Sequence, residues 1–221
     1  AQSLAASLVP VHGDDLRLVY YADRDMPIPV SLSGVSQVRI RAGRKVWRMR
    51  VWAGQMLRRS FAHFVPDARL YHATEHLLMP LPGIPTVLTV HDLLYRLYPR
   101  YHKVQNYVYL NVAMPLFCRR AEAIIAVSES TKRDLVAYYG IAPEKITVVY
   151  EAAAPHFHPQ STEAIAAVCA RHQLPERYVM TLCAIEPRKN HLGFLRAFER
   201  LHRRDPSLYW VIGGSKGWLY E

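Results

Sequence analysis

Thr86-Val87-Leu88-Thr89-Val90 runs directly into His91-Asp92, and this stretch decides the fold. Five apolar or β-branched residues with no strict polar alternation read as a strand covered on both faces, as in a parallel sheet. Downstream, Ala123-Ile124-Ile125-Ala126-Val127 and the ITVVY run at 146–150 repeat the pattern. Residues 70–72 form a brief apolar stub upstream, and residues 16–21 form a short run rich in Leu, Val and Tyr. Between these runs lie helical patterns at 44–64, with Trp47, Val51 and Phe61 near one face, at 106–120, and in a segment ending at Tyr139 that Ser128 can cap. Strands alternating with helices predict an α/β fold with a doubly covered parallel sheet.

The segment EAAAPHFHPQ at 151–160 breaks the rhythm and reads as a linker. The alternation then restarts with a helix over 161–172, a strand over 178–184, a helix over 190–204 and a strand over 208–212. One β-α-β unit after a linker is the start of a second doubly wound domain. The expected division is therefore a Rossmann-like N-terminal domain at 1–151, a linker at 152–160 and the beginning of a second domain at 161–221. Residues 1–8 read as the tail of a helix with no strand before it, and 213–220 as a fresh loop, so both ends read as cut.

The 221 residues carry 28 Lys and Arg against 18 Asp and Glu, a net charge of +10. Such a balance favours anionic partners, whether nucleic acid, acidic lipid or phosphorylated substrate. No apolar run approaches the roughly 18–20 residues that span a bilayer, and no secretory signal is read at the start. Cys118, Cys169 and Cys183 are odd in number and lack paired spacing, which suggests reduced core thiols in a cytoplasmic protein.

Ligands of open parallel sheets bind beyond the carboxyl ends of the strands. Polar residues just after strands are thus the first candidates: His72, His91-Asp92, Ser128-Glu129 and Glu151. Each alone is as readily a cap or turn residue; four strands delivering such groups to one edge make a site. His91 can donate or accept a hydrogen bond near neutral pH, while Asp92 can turn away and cap the following turn. No metal site is expected. His91 has no second His or Cys at ligand spacing, and His156 and His158, flanking Phe157, lack a third ligand. Ile185-Glu186-Pro187-Arg188-Lys189-Asn190 follows a strand and precedes a helix, with Asn190 placed to cap it. Free N–H groups at a helix start, joined by Arg188 and Lys189, suit a diphosphate; a solvated basic turn is the plainer reading. Gly213-Gly214 after the next strand would let backbone approach a ligand closely.

Arg39, Arg41, Arg44, Lys45, Arg48, Arg50, Arg58 and Arg59 occur with no acidic residue between them, and Trp47 and Trp52 are interleaved. A basic amphipathic helix with Trp suits an anionic membrane surface, a nucleic acid, or simply solvent.

Six short motifs in order then resemble a known group: Tyr71-His72-Ala73-Thr74, Val87–Leu93 (VLTVHDL), Ala126–Lys132 (AVSESTK), Lys145–Tyr150 (KITVVY), Phe157-His158-Pro159 and Glu186-Pro187-Arg188-Lys189-Asn190. The succession is similar to glycosyltransferase family 4, the retaining group-1 glycosyltransferases of the GT-B fold. The resemblance implies two Rossmann-like domains across a cleft, acceptor on the N-terminal side and nucleotide-sugar donor on the C-terminal side. It implies His91 near the reacting sugar, Arg188 and Lys189 at the donor diphosphate, and transfer with retention, without cofactor or bound metal. The implied partners are the nucleotide-sugar and a glycan or lipid-linked acceptor, at the cytoplasmic membrane face if residues 39–59 meet anionic lipid. Three departures stand out: no opening strand with a Gly-rich turn, Glu151-Ala152-Ala153-Ala154 where an Asn-Gly-Val-Asp type is common, and no Glu-x7-Glu motif before residue 221. The chain by itself is therefore expected to be inactive or nearly so. The competing reading is a non-catalytic anion- or RNA-binding α/β module.

Overall fold

The computed structural model describes residues 2–12, 15–22, 29–154 and 156–217. The chain divides into two compact units, Ala1–Ala154 and Pro155–Glu221.

The first unit runs α1 (Gln2–His12), β1 (Arg17–Tyr21), β2 (Ser36–Ile40), α2 (Arg44–Met56), β3 (Tyr71–Ala73), β4 (Thr86–Val90), α3 (Leu94–Leu97), α4 (Val104–Arg120), β5 (Ala123–Ala126), α5 (Glu129–Tyr139) and β6 (Ile146–Val148). All pairing is parallel. β1 pairs with β2, and β3-β4-β5-β6 form a four-stranded sheet in sequence order.

The core follows from side-chain spacing. On α4, Leu110, Ala113, Met114, Phe117 and Cys118 are buried, the 3–4 residue interval of one helix face. They join Leu88 and Val90 of β4, Ile124 and Ala126 of β5, Ile146 of β6, and Leu135 and Tyr139 of α5 in one cluster. Trp47 of α2 extends it, with Phe61 and Phe64 each 5.6 Å away between ring centroids. A buried hydroxyl pair, Tyr95 to Tyr139 at 2.7 Å, closes the cluster beside α3; burial pushes the Tyr139 phenol up to about 12.

Several boundaries differ from the sequence reading. The helix at 44–64 stops at Met56, and Arg58 takes a left-handed backbone with φ 52°. Phe61 therefore reaches the core from the following loop. β2 has no apolar run to mark it, because its SQVRI sequence mixes polar residues into the strand. Of the three cysteines only Cys118 lies in the core; Cys169 and Cys183 are half-buried.

The second unit is α6 (Thr162–Arg171), β7 (Tyr178–Leu182), α7 (His191–Arg204) and β8 (Tyr209–Gly213), with β7 parallel to β8. Trp210 packs on Phe194 at 4.4 Å between centroids and donates from Nε1 to Thr181 Oγ1 at 3.1 Å.

Candidate functional site

Parallel pairing of β3, β4, β5 and β6 puts their carboxyl ends on one edge of the first unit, and the segments leaving that edge converge on His91. Its Nε2–H donates to the Thr74 carbonyl, just past β3, at 3.0 Å. Its Nδ1 lies 3.0 Å from Glu151 Oε1, on the segment beyond β6. Its own carbonyl accepts from Thr131 Oγ1 of α5 at 2.9 Å. The side chain keeps 32% of its surface open, so it is anchored on two sides and still reachable. His76 stands 6.3 Å from it between ring centroids, and Glu75 lies 3.9 Å from His76 Nδ1. The hydrogen bond to His76, with the charges of His76 and His91 behind it, holds the Glu75 carboxyl below the usual carboxylate range.

The other sequence candidates take different places. Asp92 turns away, and its Oδ1 accepts from the Leu94 N–H at 2.9 Å, the Asx turn that starts α3. Ser128 is the N-cap of α5, its Oγ accepting from the Thr131 N–H. Glu129 is exposed in the first turn of α5, where a negative charge complements the helix dipole. His72 is not at a strand end; it is the middle residue of β3, 2.8 Å from Thr89 Oγ1. Burial lowers its pKa and favours the neutral ring. Thr74 and Thr131 fall inside the quoted motifs but are not site candidates by residue type, since one acts through its backbone carbonyl and the other bonds to backbone; Glu75 and His76 lie outside every motif.

In the second unit, Pro187–Lys189 form a 3-10 turn ahead of α7. Asn190 stands at the N-cap position but makes no side-chain cap bond. It takes a left-handed backbone, φ 52° and ψ 42°, that swings the chain into the helix. This corrects the expected capping role. Arg188 donates from a terminal guanidinium nitrogen to Glu186 Oε1 at 2.7 Å. The Glu186 side chain is 2% exposed and the Arg188 side chain 32%. Lys189 is exposed beside them. Gly214 has φ 139°, and a Cβ there would collide with the Cys183 carbonyl. A neighbouring main chain, rather than an approaching ligand, thus accounts for that glycine. A Cβ at Gly213 would crowd Leu182 Cδ1 at 2.9 Å.

The basic helix is sorted by packing. Trp47 is 2% exposed and in the core, and half-buried Trp52 packs against the same cluster, so Trp47 is not available to a surface. Arg48 lies over the Tyr109 ring at 3.9 Å and donates to Asn106 Oδ1, tying α2 to α4. Arg44, Lys45, Val46, Met49 and Arg50 remain exposed. A half-open cavity of about 440 Å³ lies at the amino ends of β4 and β5, lined among others by Gln55, Arg58, Pro85 and Glu122, away from His91. Among the described residues no three His, Cys, Asp or Glu side chains are grouped to hold a metal ion, and no helix is long and apolar enough to cross a membrane.

A family model described as Glycosyltransferase Family 4 matches residues 2–155. The O-antigen chain mannosyltransferase B of Escherichia coli is 23% identical over 177 residues, 79% of this chain and 42% of that protein. The serotype-specific mannosyltransferase WbdA of Escherichia coli is 30% identical over 130 residues, 56% of this chain and 16% of that protein. Among solved structures, Anabaena Alr3699/HepE in complex with UDP and glucose matches with a TM-score of 0.68 at 18% identity, covering 98% of this chain and 57% of that one. A glycosyltransferase from Rickettsia africae matches with a TM-score of 0.57 at 14% identity, covering 95% of this chain and 54% of that one. The chain thus spans 57% or less of each of these proteins. At such identities the structural likeness shows the fold alone: α/β, parallel, of the GT-B type.

Proposed function

The chain belongs to Glycosyltransferase Family 4, and from that premise we propose that it serves sugar transfer, with retention, from a nucleoside-diphosphate-sugar to a glycan or lipid-linked acceptor. The observation that carries this reading is His91, held at the shared edge of four parallel strands by Thr74, Glu151 and Thr131 while a third of its surface stays open. A group so placed can hydrogen-bond a sugar at its reacting end. In the same reading Arg188 and Lys189 meet the donor diphosphate. As the glycosidic bond to that diphosphate breaks, its oxygens take up negative charge, and fixed cations stabilise them. The donor is a substrate; the reading assigns no resident cofactor or metal.

Because the chain spans 42% of one relative and 57% of another, it is proposed to supply the acceptor side and the start of the donor side, with little turnover alone. The test uses the natively expressed protein with radiolabelled nucleoside-diphosphate-mannose and nucleoside-diphosphate-glucose, the sugars suggested by what the relatives' names print. His91→Ala should lower turnover about 100-fold or more with the unfolding transition of the first unit in place. Wild-type turnover in that variant makes His91 structural and removes the proposal.

We propose further that the protein works at the cytoplasmic face of a membrane. The support is exposed apolar surface beside basic charge on two helices tied together by Arg48. Val46 and Met49 are 59% and 52% exposed on α2, and Val104, Val108 and Val112 are 75%, 52% and 53% exposed at four-residue intervals on α4. Sedimentation with anionic vesicles should exceed that with neutral ones and fall with salt. Equal sedimentation, or loss of vesicle binding to single-stranded RNA as competitor, counts against it.

A further inference from the structure

We propose that Glu186 is the positioning residue of Arg188, holding the guanidinium so that its remaining N–H donors face a phosphate. This rests on the reading of Arg188 as a group that meets the donor diphosphate, and deepens it.

Two segments of the second unit build the seat of Glu186. Behind it, Pro187–Lys189 turn in 3-10 form. The Lys189 N–H donates to the Glu186 carbonyl and the Asn190 N–H to the Pro187 carbonyl, both at 3.0 Å. Alongside lies the loop after β8. The Ile185 N–H donates to the Ser215 carbonyl and the Gly217 N–H to the Ile185 carbonyl, again at 3.0 Å. A Cβ at Gly217 would come within 2.7 Å of the Ile185 carbonyl oxygen and 3.2 Å of Glu186 Cβ, so a glycine there lets the loop close on the turn. Glu186 is left 4% exposed.

These main-chain bonds fix the backbone and leave the Arg188 side chain undirected. Its direction comes from Glu186. The guanidinium donates to Glu186 Oε1 at 2.7 Å, the one hydrogen bond its side chain makes among the described residues. The pair is buried unevenly: the acid side chain is 2% exposed and the base 32%. For a sealed site that needs only packing, apolar side chains of similar volume serve as well or better than an ion pair. Here a sealed anion anchors a cation that stays open, past the carboxyl end of β7, where ligands of a parallel sheet gather. An arginine loses side-chain freedom when it grips an anion. One already held by Glu186 has less to lose. The negative charge of Glu186 acts in the opposite sense, since it repels a bound phosphate. Substitution separates the two effects because their signs differ.

The test uses the natively expressed protein, with inorganic pyrophosphate as the probe and calorimetry as the readout. Glu186→Leu fills similar space with neither charge nor acceptor. It should weaken pyrophosphate binding about 3- to 10-fold. Glu186→Gln loses the charge but keeps an acceptor for the guanidinium, and should stay within about threefold of the parent. In an Arg188→Ala background, Glu186→Leu should bring no further loss. With substrates, Glu186→Leu should raise the donor KM and leave the acceptor KM within twofold. Equal or tighter pyrophosphate binding in Glu186→Leu overturns the proposal, as does tightening beyond threefold in Glu186→Gln, because the charge rather than the hold on Arg188 then governs the site. A loss that persists in the Arg188→Ala background also overturns it. So does a lowered urea midpoint in Glu186→Leu with unchanged affinity, which makes Glu186 structural. The two readings fail separately. Unchanged affinity in Arg188→Ala removes Arg188 as a phosphate group, whereas a loss there with parent-like affinity in Glu186→Leu removes only the role of Glu186.

Discussion

Arg188 and Glu186 show how a single pair can serve both packing and binding. Glu186 is nearly sealed, and Arg188 brings it the charge it needs while keeping part of its guanidinium fork toward solvent. Arg has five N–H donors, so bonding one carboxylate oxygen leaves others for phosphate. Arg188→Ala should weaken pyrophosphate binding by about 1.5–3 kcal/mol, the range for hydrogen bonds to charged groups, as read by calorimetry. It also strands a buried carboxylate, a separate cost to folding. The double variant with Glu186→Gln removes that second cost. Recovery of stability without recovery of binding marks Arg188 as a ligand group; recovery of both marks it as structural. His72 carries a prediction in pH. Burial sets its folded pKa below the unfolded value of 6.5. On acidification the unfolded chain therefore takes up this proton before the folded one does. The stability contributed is complete above about pH 6.5 and is lost as pH falls through that value toward the folded pKa. His72→Gln, which keeps a partner for Thr89, should flatten this part of the stability–pH curve in urea titrations; an unchanged slope assigns it to other groups.

At the scale of elements, α5 is the clearest case of local sequence writing its own boundaries. Ser128 caps the first turn by accepting from Thr131, and Gly140 ends the helix in the left-handed region at φ 63°. Ser128→Ala should lower the stability of the first unit by about 1 kcal/mol in chemical denaturation; no change would mean that another group satisfies the Thr131 N–H. Capping of this kind is local, so it was legible in the sequence, as were β4, β5 and β7, whose apolar runs exceed what a loop tolerates. The end of α2 was not legible. No proline or acidic residue lies between Met56 and Pro66, and the backbone turn at Arg58 marks where the helix stops. The same limit governed the charged face. Sequence spacing put Trp47 and Trp52 among the arginines, but which side of a helix meets the core is set by distant partners, here Phe61 and Phe64. The edge where ligands gather followed from parallel topology alone. The approach of Glu151 to His91 did not, since sixty positions separate the two and only the order of β4, β5 and β6 brings them together.

At the scale of the whole molecule the two units differ in how much apolar surface they seal. All of the buried apolar residues described lie in the first unit. In the second, α6 and α7 have no buried residue. Ile165, Val168, Leu192 and Leu195 on these helices stay 50–71% exposed, and Met180 and Leu182 on β7 stay 53% and 77% exposed. Burial of apolar surface is the main favourable term in folding, and a two-stranded sheet flanked by helices that keep such exposure draws little from it. The first unit instead closes a four-stranded sheet on α2, α4 and α5. Unfolding of the chain should therefore proceed in two steps, the second unit first. Trp210 and Trp47 report the units separately, because one packs on Phe194 and the other on Phe61 and Phe64. The chain has four tryptophans, so the urea titration uses a background with Trp52 and Trp218 replaced by Phe; there Trp47→Phe leaves the earlier fluorescence transition and Trp210→Phe removes it. Amide exchange should be fast along β7 and β8 under conditions where β4 and β5 remain protected. A single transition shared by both tryptophans, with equal protection in the two sheets, would show that the second unit draws its stability from the first.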